Sequence, residues 1–217
     1  MATRAVVVFD NDGLLLDTEE AWTRAEVTLF ARRDRVFTIE HKRSLIGSAR
    51  VAAAMKLEAM LELAGEGEAL MEELHELVME EALAGVAPRP GALALLERLI
   101  DAGVPVAVAS NSRREFVERT LSGAGLLDGR FATVVSVEDV AQPKPAPDIY
   151  LEACRRLGAE PGECAALEDS PTGVAAAVAA GMYVVGVPYF ADGELPGSDL
   201  LVNSLAHPAV AAALGLA

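Results

Sequence analysis

Ala5-Val6-Val7-Val8-Phe9-Asp10-Asn11-Asp12-Gly13 joins a short apolar run to two acids at i and i+2 and then a glycine. The run is rich in β-branched residues and too short to span a membrane, so it reads as a buried strand of a parallel sheet. Asp10 then falls at the carboxyl end of that strand, where open α/β sheets bind ligands. Carboxylates at this spacing repel each other unless a cation or a proton lies between them. Gly13 lets the backbone turn sharply past them. Asp, Asn and Gly are also ordinary turn residues, so the stretch alone fits a plain turn after a strand. The rest of the chain decides between the two.

Downstream, a helix is expected over residues 19–33, with Trp22, Ala25, Leu29 and Phe30 on one face. Trp22 reads as a packing residue. Thr38 can cap a second short helix that stops at Gly47, and Ser48 a third over residues 49–64. A fourth, over residues 68–83, buries Leu70, Leu74, Leu77 and Val78 and shows Glu72, Glu73, Glu76 and Glu80 to solvent. His75 lies among those glutamates and is expected to face water. His41-Lys42-Arg43 is a basic cluster that reads as a solvated helix face, with anion steering as the alternative. No strand pattern interrupts these helices, so they form a separable all-helical unit.

At Ala87-Pro88-Arg89-Pro90-Gly91 the texture changes. A helix over residues 92–102 leads into strands over 104–109, 131–137, 164–167, 183–187 and 200–202. Helices over 113–121, 148–157 and 172–180 alternate with them, and Ala209–Leu214 forms a short closing helix. Such alternation implies a doubly wound parallel sheet with right-handed crossovers. The expected architecture is a Rossmann-like α/β core over residues 1–17 and 88–217, with an inserted helical cap domain over residues 18–87.

A chain of 217 residues that is 52% hydrophobic is long and apolar enough to bury a substantial core. Its formal net charge of -15 argues against nucleic-acid or anionic-membrane partners, which need basic surface. A small anionic substrate stays open, because a metal ion and a few local bases can reverse the sign inside one cleft. Cys154 and Cys164 are the only cysteines, and residues 1–9 lack a secretory signal pattern. No apolar run approaches membrane-helix length. A soluble, cytoplasmic protein with reduced thiols is expected.

In a parallel sheet the loops after the strands converge on one edge. Those loops carry Asp10 and Asp12, then Ser110-Asn111-Ser112, then Gln142-Pro143-Lys144-Pro145, then Glu168-Asp169-Ser170-Pro171. The Ser-Asn-Ser triplet is by itself an ordinary helix N-cap, although such hydroxyls and free N–H groups can also hold a phosphate. Lys144 sits between two prolines that restrict its backbone, an odd setting for an idle side chain. Together the loops gather Asp10, Asp12, Glu168 and Asp169 opposite Lys144. Four crowded acids repel one another strongly, and a divalent cation resolves the conflict. Oxygen ligands without cysteine or paired histidines suit Mg²⁺.

With these loops in this order, the chain resembles the haloacid dehalogenase (HAD) superfamily, in its phosphatase and phosphomutase branch with a small helical cap. Phe9-Asp10-Asn11-Asp12-Gly13 with Asp17-Thr18-Glu19 resembles its first motif, and Ser110-Asn111-Ser112 its second. Lys144-Pro145-Ala146-Pro147 resembles the third, and Glu168-Asp169-Ser170 with Gly173 and Ala180-Gly181 the fourth. The resemblance implies that Asp10 attacks phosphorus to form an aspartyl phosphate. It implies that Asp12 protonates the leaving oxygen and then deprotonates the hydrolytic water. Mg²⁺ would be held by Asp10, the Asp12 main-chain carbonyl and Asp169, with Glu168 in its outer shell. Ser110 and Asn111 would bind the transferring phosphoryl group, and Lys144 would offset charge on it and on Asp10.

Within the family, an acid at Asp12 favours phosphate esters over the dehalogenases and phosphonate-cleaving members, which lack it. β-Phosphoglucomutase carries a histidine near the position of Trp22, and no histidine occurs between Met1 and Glu40. The expectation is a phosphatase acting on a small phosphorylated metabolite of the sugar or polyol phosphate kind. The alternatives are a phosphomutase, a pyrophosphatase or acyl-phosphate hydrolase using the same site, and a catalytically weak binding protein. Leu45-Ile46-Gly47-Ser48-Ala49-Arg50 resembles the cap's substrate loop, so Arg50 is the candidate for a second anionic group, or else a surface arginine. Arg113 and Arg114 either rim the phosphate pocket or face water. Cap closure would hinge near residues 17–19 and 88–91.

Overall fold

The computed structural model describes residues 3–83 and 85–216. Strand β1 (Val7–Phe9) is followed by four helices with no strand between them: α1 (Glu19–Ala31), α2 (Ile39–Leu45), α3 (Arg50–Leu61) and α4 (Gly67–Ala82). Alternation then begins with α5 (Ala92–Asp101), β2 (Val106–Ala109), α6 (Arg114–Gly123) and β3 (Thr133–Val135). It continues with α7 (Asp148–Leu157), β4 (Ala165–Glu168), α8 (Pro171–Ala179), β5 (Tyr183–Gly186), β6 (Leu200–Leu201) and α9 (Pro208–Ala213).

The strands form one six-stranded, wholly parallel sheet in the order β3-β2-β1-β4-β5-β6. Val7 lies level with Val106 on one side and Ala165 on the other, so β1 is central and its end opens between the β2 and β4 loops. Chain order reverses there, which is where doubly wound sheets place ligands. Side chains alternate across the sheet as the period of two requires. Val7, Phe9, Val108 and Leu167 enter the core shared with α1, α4, α5 and α6, whereas Val8, Ala107 and Ala166 pack on α7 and α8. Hydrophobic burial on both faces matches the unbroken apolar runs of these strands.

The helical unit is joined to the sheet by two crossings that pair with each other. Asp17 N–H donates to Ala87 O at 2.8 Å, Arg89 N–H donates to Leu15 O at 3.0 Å, and Leu16 bridges Pro88 in antiparallel sense. Within the unit α4 packs along α1 and α3. Among the described residues no helix is long and apolar enough to cross a membrane.

Three local expectations change. Ser48 does not cap the third helix: α3 starts at Arg50, and Ser48 Oγ instead donates to Ser44 O at 3.2 Å and accepts from Lys56 Nζ at 2.8 Å. The strand expected over residues 131–137 keeps only Thr133–Val135, because the chain winds into a 3₁₀ turn at Val137–Asp139 where the Asp139 carboxylate accepts from Ser136 N–H at 2.8 Å. His41 is a capping residue of α2, accepting from Thr38 N–H through Nδ1 at 3.2 Å while its own N–H donates to the Thr38 hydroxyl.

Candidate active site

Asp10 follows β1 directly, its N–H donating to Leu167 O at 3.0 Å. The next residues fold into a tight flap in which Gly13 N–H donates to Leu16 O and Leu16 N–H to Asn11 O. Gly13 has φ +81°, and a Cβ there would lie 2.2 Å from Asp169 Oδ2. Glycine is therefore what lets the Asp169 carboxylate approach the β1 loop. One oxygen each from Asp10, Glu168 and Asp169 lie within 4.8 Å of one another, and all three residues are buried.

Lys144 answers this charge. Its Nζ donates to Asp10 Oδ1 at 2.5 Å, Glu168 Oε1 at 2.6 Å and Ala109 O at 3.0 Å, which uses all three ammonium hydrogens. Burial disfavours the ammonium, but Asp10 and Glu168 outweigh it and hold the Lys144 pKa well above the ordinary lysine value. One lysine cannot balance three carboxylates. Burial, with the charges of Glu168 and Asp12 adding to it against Lys144, pushes Asp10 well above the usual carboxylate range. Burial together with Asp10 and Glu168 does the same to Asp169.

The β2 loop serves the other groups. Ser110 Oγ and Ser112 Oγ donate to Asp12 Oδ2 at 2.7 and 2.8 Å, and Asn11 Nδ2 donates to Asp12 Oδ1 at 3.2 Å. Asn111 clamps the lysine loop: its Oδ1 accepts from Lys144 N–H at 2.9 Å and its Nδ2 donates to Lys144 O at 3.2 Å. Ser110 and Asn111, expected as phosphate ligands, thus orient Asp12 and Lys144 in this structure; Asn111 also lines the cleft.

Sequence reasoning missed the support beneath Glu168. Tyr150, buried on α7, donates its hydroxyl to Glu168 Oε1 at 2.5 Å. Glu168 Oε2 accepts from Asp169 N–H at 3.1 Å and Ser170 N–H at 3.4 Å. A buried tyrosine needs a partner for its hydroxyl, the one signal in the sequence, but nothing there names Glu168 as that partner. Gly173 completes the socket, since a Cβ at this position would fall 1.9 Å from Glu168 Oε1. Gly173→Ala is expected to destabilise the protein by about 3 kcal/mol, because the carboxylate it displaces cannot cheaply leave its donors on Lys144, Tyr150, Asp169 and Ser170. A denaturant titration checks this; a midpoint equal to wild type contradicts it.

The helical unit roofs a cleft of about 130 Å³ over Asp10, Asp12, Lys144 and Asp169. Gly47, with φ +68°, brings the α2–α3 loop so close that a Cβ would lie 2.7 Å from Ser170 Cβ. Trp22 packs edge-on against Phe116 of α6 at 5.5 Å and also lines the cleft. Arg43 pairs with Asp192 at 3.1 Å and lies over the Phe190 ring.

Three cap expectations need correction. Lys42 is not on a solvated face: it is buried in the cleft wall, 2.5 Å from Glu19 Oε2 and 3.1 Å from Glu26 Oε2. Arg50, expected as a ligand for a second anionic group or else a surface arginine, does not line the cleft over Asp10: Glu68 at 2.7 Å and Glu72 at 3.1 Å hold its guanidinium at α4, beside the neighbouring cavity. His75 is half-buried beside a neighbouring cavity with Arg50 and Arg113, and burial lowers its pKa. Arg113 pairs with Glu72 and Arg114 with Asp139, so neither is an idle surface charge.

A family model described as haloacid dehalogenase-like hydrolase matches residues 5–181, which include every strand-end loop of this cleft. The chain belongs to the haloacid dehalogenase-like hydrolases. Among relatives of this hydrolase, hexitol phosphatase A of Escherichia coli is 34% identical over 91% of this chain and 90% of its own. Validoxylamine A 7'-phosphate phosphatase of Streptomyces hygroscopicus is 31% identical over 92% of this chain and 93% of its own. The crystal structure of CbbY from Rhodobacter sphaeroides in complex with phosphate superposes with a TM-score of 0.81 at 28% identity, covering 94% of this chain and 96% of the other.

Haloacid dehalogenase-like hydrolases use a divalent metal, and the donor set here fits one. The available atoms are all oxygens, as a hard cation prefers. Two of the three clustered carboxylates, Asp10 and Asp169, resist ionising together, and a cation between them removes that resistance. The Asp12 main-chain carbonyl accepts no backbone hydrogen bond among the described residues and is free to contribute. Glu168 already has both oxygens engaged, which suits an outer position.

Proposed function

We propose that this hydrolase is a Mg²⁺-dependent phosphatase that cleaves a small phosphorylated metabolite of the sugar or polyol phosphate kind through an aspartyl phosphate on Asp10. The observation that carries this is the contact of Lys144 Nζ with Asp10 Oδ1 beside Asp169, with Asp12 two residues on and held by two serines. Asp10 is a carboxylate nucleophile at a strand end, and Asp12 is a second acid in the same loop, fixed in place by Ser110 and Ser112. The phosphatases among the relatives support the same reaction.

In the first step an Asp10 oxygen bonds to phosphorus, the bond to the leaving oxygen breaks, and Asp12 gives that oxygen its proton. In the second, water attacks the aspartyl phosphate, Asp12 takes the water's proton, and inorganic phosphate leaves with Asp10 restored. Lys144 offsets charge on Asp10 and on the transferring group, while Asn111 fixes its loop. When bound, Mg²⁺ supplies the positive charge that keeps Asp10 ionised and orients the phosphoryl oxygens. Residues 18–87 act as a cap that excludes water, hinged on the paired crossings at Leu15–Asp17 and Ala87–Arg89.

Trp22 stands on the α1 face that lines the cleft, and α1 itself carries no histidine, which favours hydrolysis over phosphomutation. The test is a panel of phosphorylated metabolites assayed for phosphate release with Mg²⁺ and with excess chelator. Release that needs Mg²⁺ is expected. Isomerised product without free phosphate, or equal turnover in chelator, overturns the proposal.

A further inference from the structure

Three ionisable side chains in the cleft wall take no part in the chemistry above. Glu19 and Glu26 lie on α1 and Lys42 on α2, and all are more than nine-tenths buried. Lys42 Nζ contacts Oε2 of each glutamate, at 2.5 and 3.1 Å. Among the described residues, no donor reaches Oε1 of Glu19 or of Glu26, and all three residues line the cleft. Each glutamate thus keeps one carboxylate oxygen without a donor, and the Lys42 ammonium has three hydrogens for the two glutamates it contacts, in residues that line the same cleft as Asp10. With both glutamates ionised the trio carries two negative charges against one positive; burial raises the pKa of each, Glu26 to about 7, so near neutral pH the trio's net charge lies between zero and minus one. The only other cation lining the cleft among the described residues is Lys144, whose three hydrogens are taken. Arg50 and Arg113, at the neighbouring cavity, share Glu72.

We infer that Glu19, Lys42 and Glu26 form a hydroxyl-reading subsite, which selects a monophosphate whose leaving group is neutral and polyhydroxylated and rejects one bearing a second phosphate or a carboxylate. The inference rests on the phosphatase reading and narrows its substrate. Hydroxyls satisfy this wall from both sides: they donate to the glutamate oxygens and accept from Lys42. A second anion meets two carboxylates and a lysine already shared between them, so it loses its hydration without gaining a partner. A buried ion cluster could instead serve only to staple α1 to α2, and such a staple would not distinguish one substrate from another.

The experiment compares kcat/KM of wild type and Glu26→Gln on three probes: sorbitol 6-phosphate, fructose 1,6-bisphosphate and phenyl phosphate, which has no hydroxyl to read. Wild type is expected to prefer the hexitol monophosphate over the bisphosphate by at least about tenfold. In Glu26→Gln, which leaves Glu19 paired with Lys42, the ratio of sorbitol 6-phosphate to phenyl phosphate activity should fall by about 10- to 100-fold, the loss of one charge-assisted hydrogen bond. The sorbitol loss should appear mainly as a higher KM. An unchanged ratio means a staple and overturns the inference. So does a wild-type preference for the bisphosphate, and that comparison needs no variant. Either outcome leaves the phosphatase reading standing, whereas absence of phosphate release from all three probes sinks both.

Discussion

Asp10→Asn is expected to lower kcat for phosphate release by a factor on the order of 10⁴ to 10⁶, the scale on which loss of a covalent nucleophile acts. The amide keeps the shape of the side chain, but its oxygen is a poor nucleophile and carries no charge to attack phosphorus. The same change should leave the fold intact. Lys144 keeps two of its three partners, Glu168 Oε1 and Ala109 O, and the repulsion among Asp10, Glu168 and Asp169 is relieved. A thermal midpoint within a few degrees of wild type is therefore expected beside the lost activity. Turnover within tenfold of wild type would remove Asp10 from the nucleophile's role; activity lost together with a large fall in midpoint would mean that Asp10 matters for structure instead.

The fold was legible because its signals are local and repeated. The Val6–Phe9 run, the strand-less helices up to residue 83 and the helix–strand alternation from Gly91 to β5 each follow from a residue period. The acids and Lys144 were legible because each lies at or within a few residues of a strand's carboxyl end or sits in a proline-framed loop. What stayed hidden depends on contacts between segments far apart in sequence. Lys42 looks solvated beside His41 and Arg43, and only the packing of α2 on α1 shows that it meets Glu19 and Glu26. Glu26 itself breaks the apolar face expected of α1, where burial pushes its pKa up to about 7. Arg50 has the sequence context of a substrate ligand, and two glutamates on α4 capture it. Ser110 and Ser112 look like one cap among many until the loops meet and their hydroxyls turn to Asp12.

That last contact makes Asp12 the sharper test of mechanism. In Asp12→Asn the side-chain oxygen can still accept from Ser110 and Ser112, so the β1 loop should keep its shape, but no proton can be given or taken. With a sugar or polyol phosphate, whose alkoxide leaves only if protonated, kcat should fall by about 10²- to 10⁴-fold. p-Nitrophenyl phosphate separates the two roles, because nitrophenolate leaves without a proton and the first step then survives. Hydrolysis of the aspartyl phosphate still lacks its base, so the intermediate should accumulate. A burst of nitrophenolate approaching one equivalent per active site, followed by slow turnover, is the expected trace. Equal losses on both substrates with no burst would show that Asp12 acts on binding or loop geometry, and the proton would have to travel by another group.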